Sequence, residues 1–151
     1  MHENELTKII INLCIKIHKT LGPGLLESVY EEVLVYELKK LGIIVARQVG
    51  IPVNYESIKL ELGFRADLII ENKVIIELKS IENVIPLHKK QLLTYLKLTN
   101  MKVGLLINFN EATLKEGLHR VVDGLPPSAS PRLRVNRLSR GGAEGAEENL
   151  K

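Results

Sequence analysis

Residues 64–70 and 74–79 form two apolar runs around the polar trio Glu71-Asn72-Lys73, a pattern that reads as a β-hairpin. Side chains alternate along a strand, so loop length decides which residues share a face. With a three-residue loop, Ile70 faces Val74 and Asp67 faces Glu77. Asp67, Glu77 and Lys79 then lie on one face, while Leu68, Ile70, Val74, Ile76 and Leu78 make the other wholly apolar. A two-residue loop would send Asp67 and Glu77 to opposite faces. Any chemistry depends on that register.

Directly opposed residues have Cβ atoms about 4.5–5.5 Å apart, close enough for two carboxylates to share one divalent cation. Hard oxygen ligands suit Mg²⁺ or Mn²⁺, which keep waters and meet phosphate oxygens at their open positions. Lys79, two residues beyond Glu77, can position or deprotonate a water, or offset charge in the transition state. The chemistry implied is metal-assisted hydrolysis of a phosphodiester. Glu-x-Lys on a strand is also common as a solvated edge or an ion pair, so the hairpin alone does not decide the matter.

The elements around the hairpin are legible from periodicity. Leu6, Ile9, Ile10, Leu13, Ile17 and Leu21 recur at helical spacing over residues 5–21. Gly22-Pro23-Gly24 breaks that helix, and a second is expected over residues 25–41 with Gly42 as its stop. Residues 43–45, 49–55 and 58–62 are short, apolar and β-branched, with Glu56-Ser57 as a turn. A third helix is expected over 87–99, a buried strand over 103–108 and a closing helix over 111–122. The order is two helices, a meander, a helix, a strand and a helix, with no internal repeat.

Composition bounds the class. A chain of 151 residues with 45% hydrophobic and 26% charged residues suits one globular domain. Aromatics make up only 4%, which argues against a single-strand binder built on stacked rings. Cys14 is the single cysteine, excludes an internal disulfide and reads as a small buried apolar residue. No apolar stretch approaches the ~20 residues of a membrane span, and the start Met-His-Glu-Asn-Glu lacks a basic leader. A cytoplasmic protein is expected.

After Leu125 the chain turns to Pro, Gly, Ser, Arg and Glu, so residues 1–125 are read as the domain and 126–151 as a disordered or peripheral tail. The net charge is +3, and the tail holds five basic residues against three acidic ones. The domain is therefore nearly neutral, and the basic pI says little about nucleic acid.

The third helix adds polar groups. His88, Gln91 and Tyr95 fall at helical spacing and can line one face. Gln offers an amide and Tyr a hydroxyl, both suited to orienting water or phosphate. An ordinary amphipathic helix would look the same. Lys89 and Lys90 read as a solvated face, and the four histidines show no zinc spacing.

Gly63-Phe-Arg-Ala-Asp67, Glu77-Leu-Lys79 and Gln91-Leu-Leu-Thr-Tyr95, in that order, resemble the RecB-like branch of the PD-(D/E)XK nuclease superfamily. Gly24-Leu-Leu-Glu27-Ser-Val-Tyr30 looks like the signature of the small GxxExxY protein family within it. The resemblance covers residues 6–125. It implies an α/β (α+β) restriction-endonuclease-like core, a mixed β-sheet flanked by helices. It also implies Asp67 and Glu77 as metal ligands with the backbone carbonyl of Leu78, and Glu27 as a helix-borne acid reaching towards the metal. Lys79 would be the catalytic lysine, supported by Gln91 and Tyr95. Without the resemblance, Glu27 would be an acid placed favourably in the first turn of its helix.

The function expected is a Mg²⁺- or Mn²⁺-dependent nuclease acting on DNA, with room for a homodimer because one small domain cannot wrap much duplex. The alternative is a non-catalytic nucleic-acid- or protein-binding module that keeps the nuclease fold. A further option is binding through the arginine-bearing tail, Arg132 to Arg140.

Overall fold

The computed structural model of the protein describes residues 1–61 and 63–124. The expected tail, 126–151, lies outside the described residues. In chain order the elements are α1 (Glu3–Leu21), α2 (Glu27–Lys40), β1 (Val45–Gly50), β2 (Val53–Tyr55), β3 (Ile58–Leu60), β4 (Arg65–Ile70), β5 (Val74–Lys79), α3 (Pro86–Thr99), β6 (Val103–Asn108), α4 (Leu114–Gly117) and β7 (Leu118–Val122).

Five strands make one sheet in the order β1-β4-β5-β6-β7, and β2 and β3 pair apart from it. The Glu71-Asn72-Lys73 loop sets Ile70 opposite Val74 and Leu68 opposite Ile76, the register that a three-residue loop predicts. Glu71 and Asn72 adopt positive φ (54° and 55°), which tightens that loop. β5 and β6 run parallel, joined by α3, while the other neighbouring pairs in this sheet are antiparallel. A mixed five-stranded sheet flanked by helices is the restriction-endonuclease-like architecture that the sequence implied.

Two apolar cores lie on the two sheet faces. On one, Leu6, Ile10, Cys14 and Ile17 of α1 and Leu34 and Leu38 of α2 meet Leu68, Ile70, Val74, Ile76, Leu78, Leu105 and Ile107. On the other, Leu92, Leu93, Tyr95 and Leu96 of α3 meet Ile69, Ile75, Leu106 and Val121. Each fully buried aliphatic side chain contributes roughly 1.5–3 kcal/mol. Gly104 leaves space for α3, since a Cβ there would lie 2.8 Å from Leu92 Cδ1. Asp67, Glu77 and Lys79 belong to the α3 side by strand alternation.

Helix ends follow local chemistry. His2 accepts from the Asn4 N–H and Glu5 reaches back to the His2 N–H, which caps α1. Pro86 opens α3, where its missing N–H costs nothing, and His88 Nδ1 accepts from the Ile85 N–H. No helix among the described residues is long and apolar enough to cross a membrane.

Two expectations need correction. Residues 111–122 do not form a closing helix: one capped turn, α4, is followed by β7, antiparallel to β6. From Leu118 the side chains alternate, with Arg120 bonded to Asn4 of α1 and Val121 buried against α3. Pairing along β6 supplies more than an isolated helix of that length could. The expected break between Val45 and Val49 is likewise absent, because β1 runs through it against β4.

Candidate active site

Beyond Leu68↔Ile76 the two strands of the hairpin are held by side chains. The Asp67 N–H donates to Glu77 Oε2 at 3.0 Å, and the Leu78 N–H donates to Asp67 Oδ2 at 2.8 Å. Each carboxylate thus takes the place of a ladder acceptor and is fixed by backbone. Glu77 is buried at 7% exposure, and Asp67 is half-buried. Burial, then the neighbouring Asp67 charge, pushes the Glu77 carboxyl up to about 8. Burial also raises Asp67, against the opposing pull of the Leu78 amide, Gln48 and Lys79. This electrostatic environment is short of positive charge.

Lys79 follows at the end of β5, half-buried, with its charge felt by Asp67, Glu77 and His88. Its segment is held by Asn108, its ladder partner on β6. Fully buried Asn108 accepts from the Ile81 N–H at 3.1 Å and donates to the Ile81 carbonyl at 2.9 Å. The Phe109 N–H adds a bond to the Lys79 carbonyl at 2.8 Å. Lys79, Ser80 and Ile81 therefore leave the sheet along a defined path.

Glu27 arrives from the opposite layer. It is the first residue of α2, exposed, and its Oε2 accepts from the Ser80 N–H at 3.2 Å. Ser80 Oγ in turn donates to the Leu25 carbonyl. The preceding Gly22 and Gly24 turn at positive φ, 75° and 97°. Tyr30 secures that turn: its hydroxyl donates to the Gly22 carbonyl at 2.6 Å and accepts from the Leu25 N–H at 3.1 Å. The Tyr30 ring stacks on Phe109 with centroids 4.2 Å apart. The Gly-x-x-Glu-x-x-Tyr spacing is thus a loop clamp that delivers Glu27 to the end of β5.

On α3, Tyr95 is buried beside the carboxylates, with Phe64 edge-on at 6.0 Å. Burial, then the Glu77 charge, raises its hydroxyl pKa, while the Arg65 amide opposes the shift. Burial and the Lys79 charge lower that of His88. Gln91 is exposed one turn before Tyr95, and its side chain makes no hydrogen bond among the described residues. The structure thus brings Asp67, Glu77, Lys79 and Tyr95 together, adds Glu27 through Ser80, and leaves Gln91 at the rim. Among the described residues, no three His, Cys, Asp or Glu side chains are grouped so that they could hold a metal ion.

Sequence reasoning missed three contributors: Gln48, Glu31 and Ser80. Gln48 Nε2 donates to Glu31 Oε1 at 2.9 Å and to Asp67 Oδ1 at 3.4 Å. Arg47 holds Glu31 Oε2 through Nε at 3.1 Å. A continuous β1 paired with β4 would have set Gln48 opposite Asp67, a signal lost where the sequence reading broke the strand.

The family model of the PD-(D/E)XK nuclease superfamily matches residues 4–121. The chain belongs to the PD-(D/E)XK nuclease superfamily. No curated protein and no solved structure matches it. The match runs from α1 into β7 and spans Glu27, Asp67, Glu77, Lys79, Gln91 and Tyr95. PD-(D/E)XK nucleases generally use divalent metals and act on nucleic acid, which sets the chemistry against which this arrangement is read.

Proposed function

We propose that the chain is a metal-dependent nuclease of the GxxExxY type that hydrolyses phosphodiester bonds in DNA. The observation that carries this reading is the pair of desolvated carboxylates pinned by backbone amides, with Lys79 two residues on. Both are hard oxygen donors, and the raised value of Glu77, about 8, reflects a shortage of positive charge that a divalent cation would relieve. In this reading Asp67, Glu77 and the Leu78 carbonyl hold Mg²⁺ or Mn²⁺, and Glu27 approaches as the acid from α2.

Bound there, a divalent cation would polarise a phosphate oxygen and lower the pKa of water. Lys79 orients the attacking water and offsets charge that develops on the phosphoryl oxygens. The Tyr95 hydroxyl borders the carboxylates, and the exposed Gln91 amide is placed to meet substrate. DNA is the substrate taken, in the cytoplasm, and the reading allows a homodimer.

The test is Mg²⁺ or Mn²⁺ titration of wild type and Glu77→Ala, coupled to cleavage of duplex, single-stranded, branched and RNA substrates. Uptake and cleavage, both lost in the variant, support the assignment; cleavage undiminished by Glu77→Ala removes it. A second reading, a non-catalytic nucleic-acid- or protein-binding module, draws on Asp67, Glu77 and Glu27 each already accepting a backbone N–H. It expects no specific metal uptake and partner binding that survives Lys79→Ala.

A further inference from the structure

We propose that Gln48 is a positioning residue for the site: its amide ties the Asp67 carboxylate to Glu31 of α2 and thereby sets the plane in which Asp67 presents its oxygens. The metal-site role of Asp67 rests on the nuclease reading above, whereas its tethering rests on the contacts alone.

Three observations carry it. First, Gln48 adopts φ 48° within β1, a conformation that a side chain of this kind rarely takes. Arg47↔Leu68 and Val49↔Ala66 are paired on either side, so the ladder is interrupted at the position opposite Asp67. Backbone strain at such a point persists only where surrounding contacts hold it. Here Arg65 Nη1 donates to the Gln48 carbonyl at 3.2 Å.

Second, both acceptors of the Gln48 amide are carboxylates, Glu31 at 2.9 Å and Asp67 at 3.4 Å. A carboxylate on each side requires the NH₂ group to use one hydrogen for each. With the Leu78 N–H on Oδ2 and Gln48 on Oδ1, both Asp67 oxygens are engaged and the carboxylate cannot swing freely.

Third, the anchor is itself fixed. Glu31 is buried at 8% exposure and its second oxygen is taken by Arg47. It lies one turn after Glu27 on the same helix face, so α2 contributes one acid to Ser80 and one to this tether.

The experiment compares wild type with Gln48→Gly and Gln48→Asn. Glycine accepts the left-handed backbone and removes the tether, and asparagine tolerates it but falls a methylene short of spanning two carboxylates. Two readouts are taken: hydrogen exchange of the Leu78 amide against that of Ile76 in metal-free protein, and Mn²⁺ affinity by electron paramagnetic resonance. The expected result is an unchanged or higher Tm, Leu78 exchange faster by about tenfold with Ile76 unchanged, and Mn²⁺ affinity lower by about tenfold. Leu78 protection unchanged in both variants overturns the proposal, as does loosening that spreads equally to Ile76. Wild type that binds no Mn²⁺ overturns the metal-site reading instead, and Leu78 exchange still decides whether Gln48 holds Asp67.

Discussion

Asp67 and Glu77 are joined backbone to side chain: the Asp67 N–H donates to Glu77 Oε2 across 3.0 Å. The next bond returns from the Leu78 N–H to Asp67 Oδ2. The acids are therefore part of the strand pairing, and changes to either must be judged for stability as well as chemistry. An amide replacement keeps an acceptor for the backbone, whereas alanine leaves a buried N–H without one. Separating those effects needs the conservative variant alongside the truncation.

The pH dependence of metal-free stability follows from Glu77. Its ordinary value of 4.5 rises to about 8 in the fold, so the native state binds a proton that the unfolded chain has released. The contribution is fully present below 4.5, declines as pH rises, and is lost by about 8. Glu77→Gln should flatten that decline and exceed wild type by on the order of a few kcal/mol at high pH in the absence of metal. Denaturant unfolding between pH 5 and 9 measures it; parallel pH profiles for the two proteins would contradict the assignment.

If Glu77 holds the divalent cation as proposed, binding should release a proton below about pH 8, because coordination requires the carboxylate. Mn²⁺ affinity is then expected to climb with pH towards that value and level off above it. Calorimetry in two buffers of different ionisation enthalpy reads the proton directly. Affinity that stays constant from pH 6 to 9 would place the ion elsewhere.

Tyr30→Phe keeps the stack on Phe109 and removes the hydroxyl that bonds Gly22 and Leu25. The cost should be about 1–2 kcal/mol, with faster exchange of the Leu25 amide. Because that loop precedes Glu27, the Ser80 amide should also lose protection. A stability change without any effect at Ser80 would mean that Glu27 is held by α2 alone.

The hairpin was legible because alternation and a three-residue polar loop together fix its faces, so Asp67 and Glu77 could be set opposite one another from local sequence. α1 was legible from its helical spacing, α2 from the Gly22-Pro23-Gly24 break and Gly42 on either side of it, and β6 as an unbroken apolar run, buried along its whole length. β7 was not, since Leu118-His119-Arg120-Val121-Val122 suits a helix turn or a strand, and pairing with β6 decides. Gln48 was missed because its positive φ and its two carboxylate partners arise from contacts with α2 and β4. The clamping role of Tyr30 was not legible, as its stacking partner Phe109 follows β6, far along the chain.

Gly117 marks the junction where α4 gives way to β7, and it is closed to any side chain. A Cβ there would lie 2.0 Å from the Asn108 carbonyl oxygen, a backbone atom that cannot turn aside as a flexible side chain would. Asn108 holds Ile81 on the path leading from Lys79, so a shift at this point reaches the site through the β6 end. Gly117→Ala should therefore cost about 2–4 kcal/mol and loosen the Ile81 amide as well. The control is Gly42→Ala, where an added Cβ meets nothing within 4 Å and only the positive φ resists. Gly117→Ala is expected to be the more damaging of the two in denaturant unfolding. Equal losses would mean that a small shift relieves the approach to Asn108, so that it costs no more than the strained backbone at Gly42.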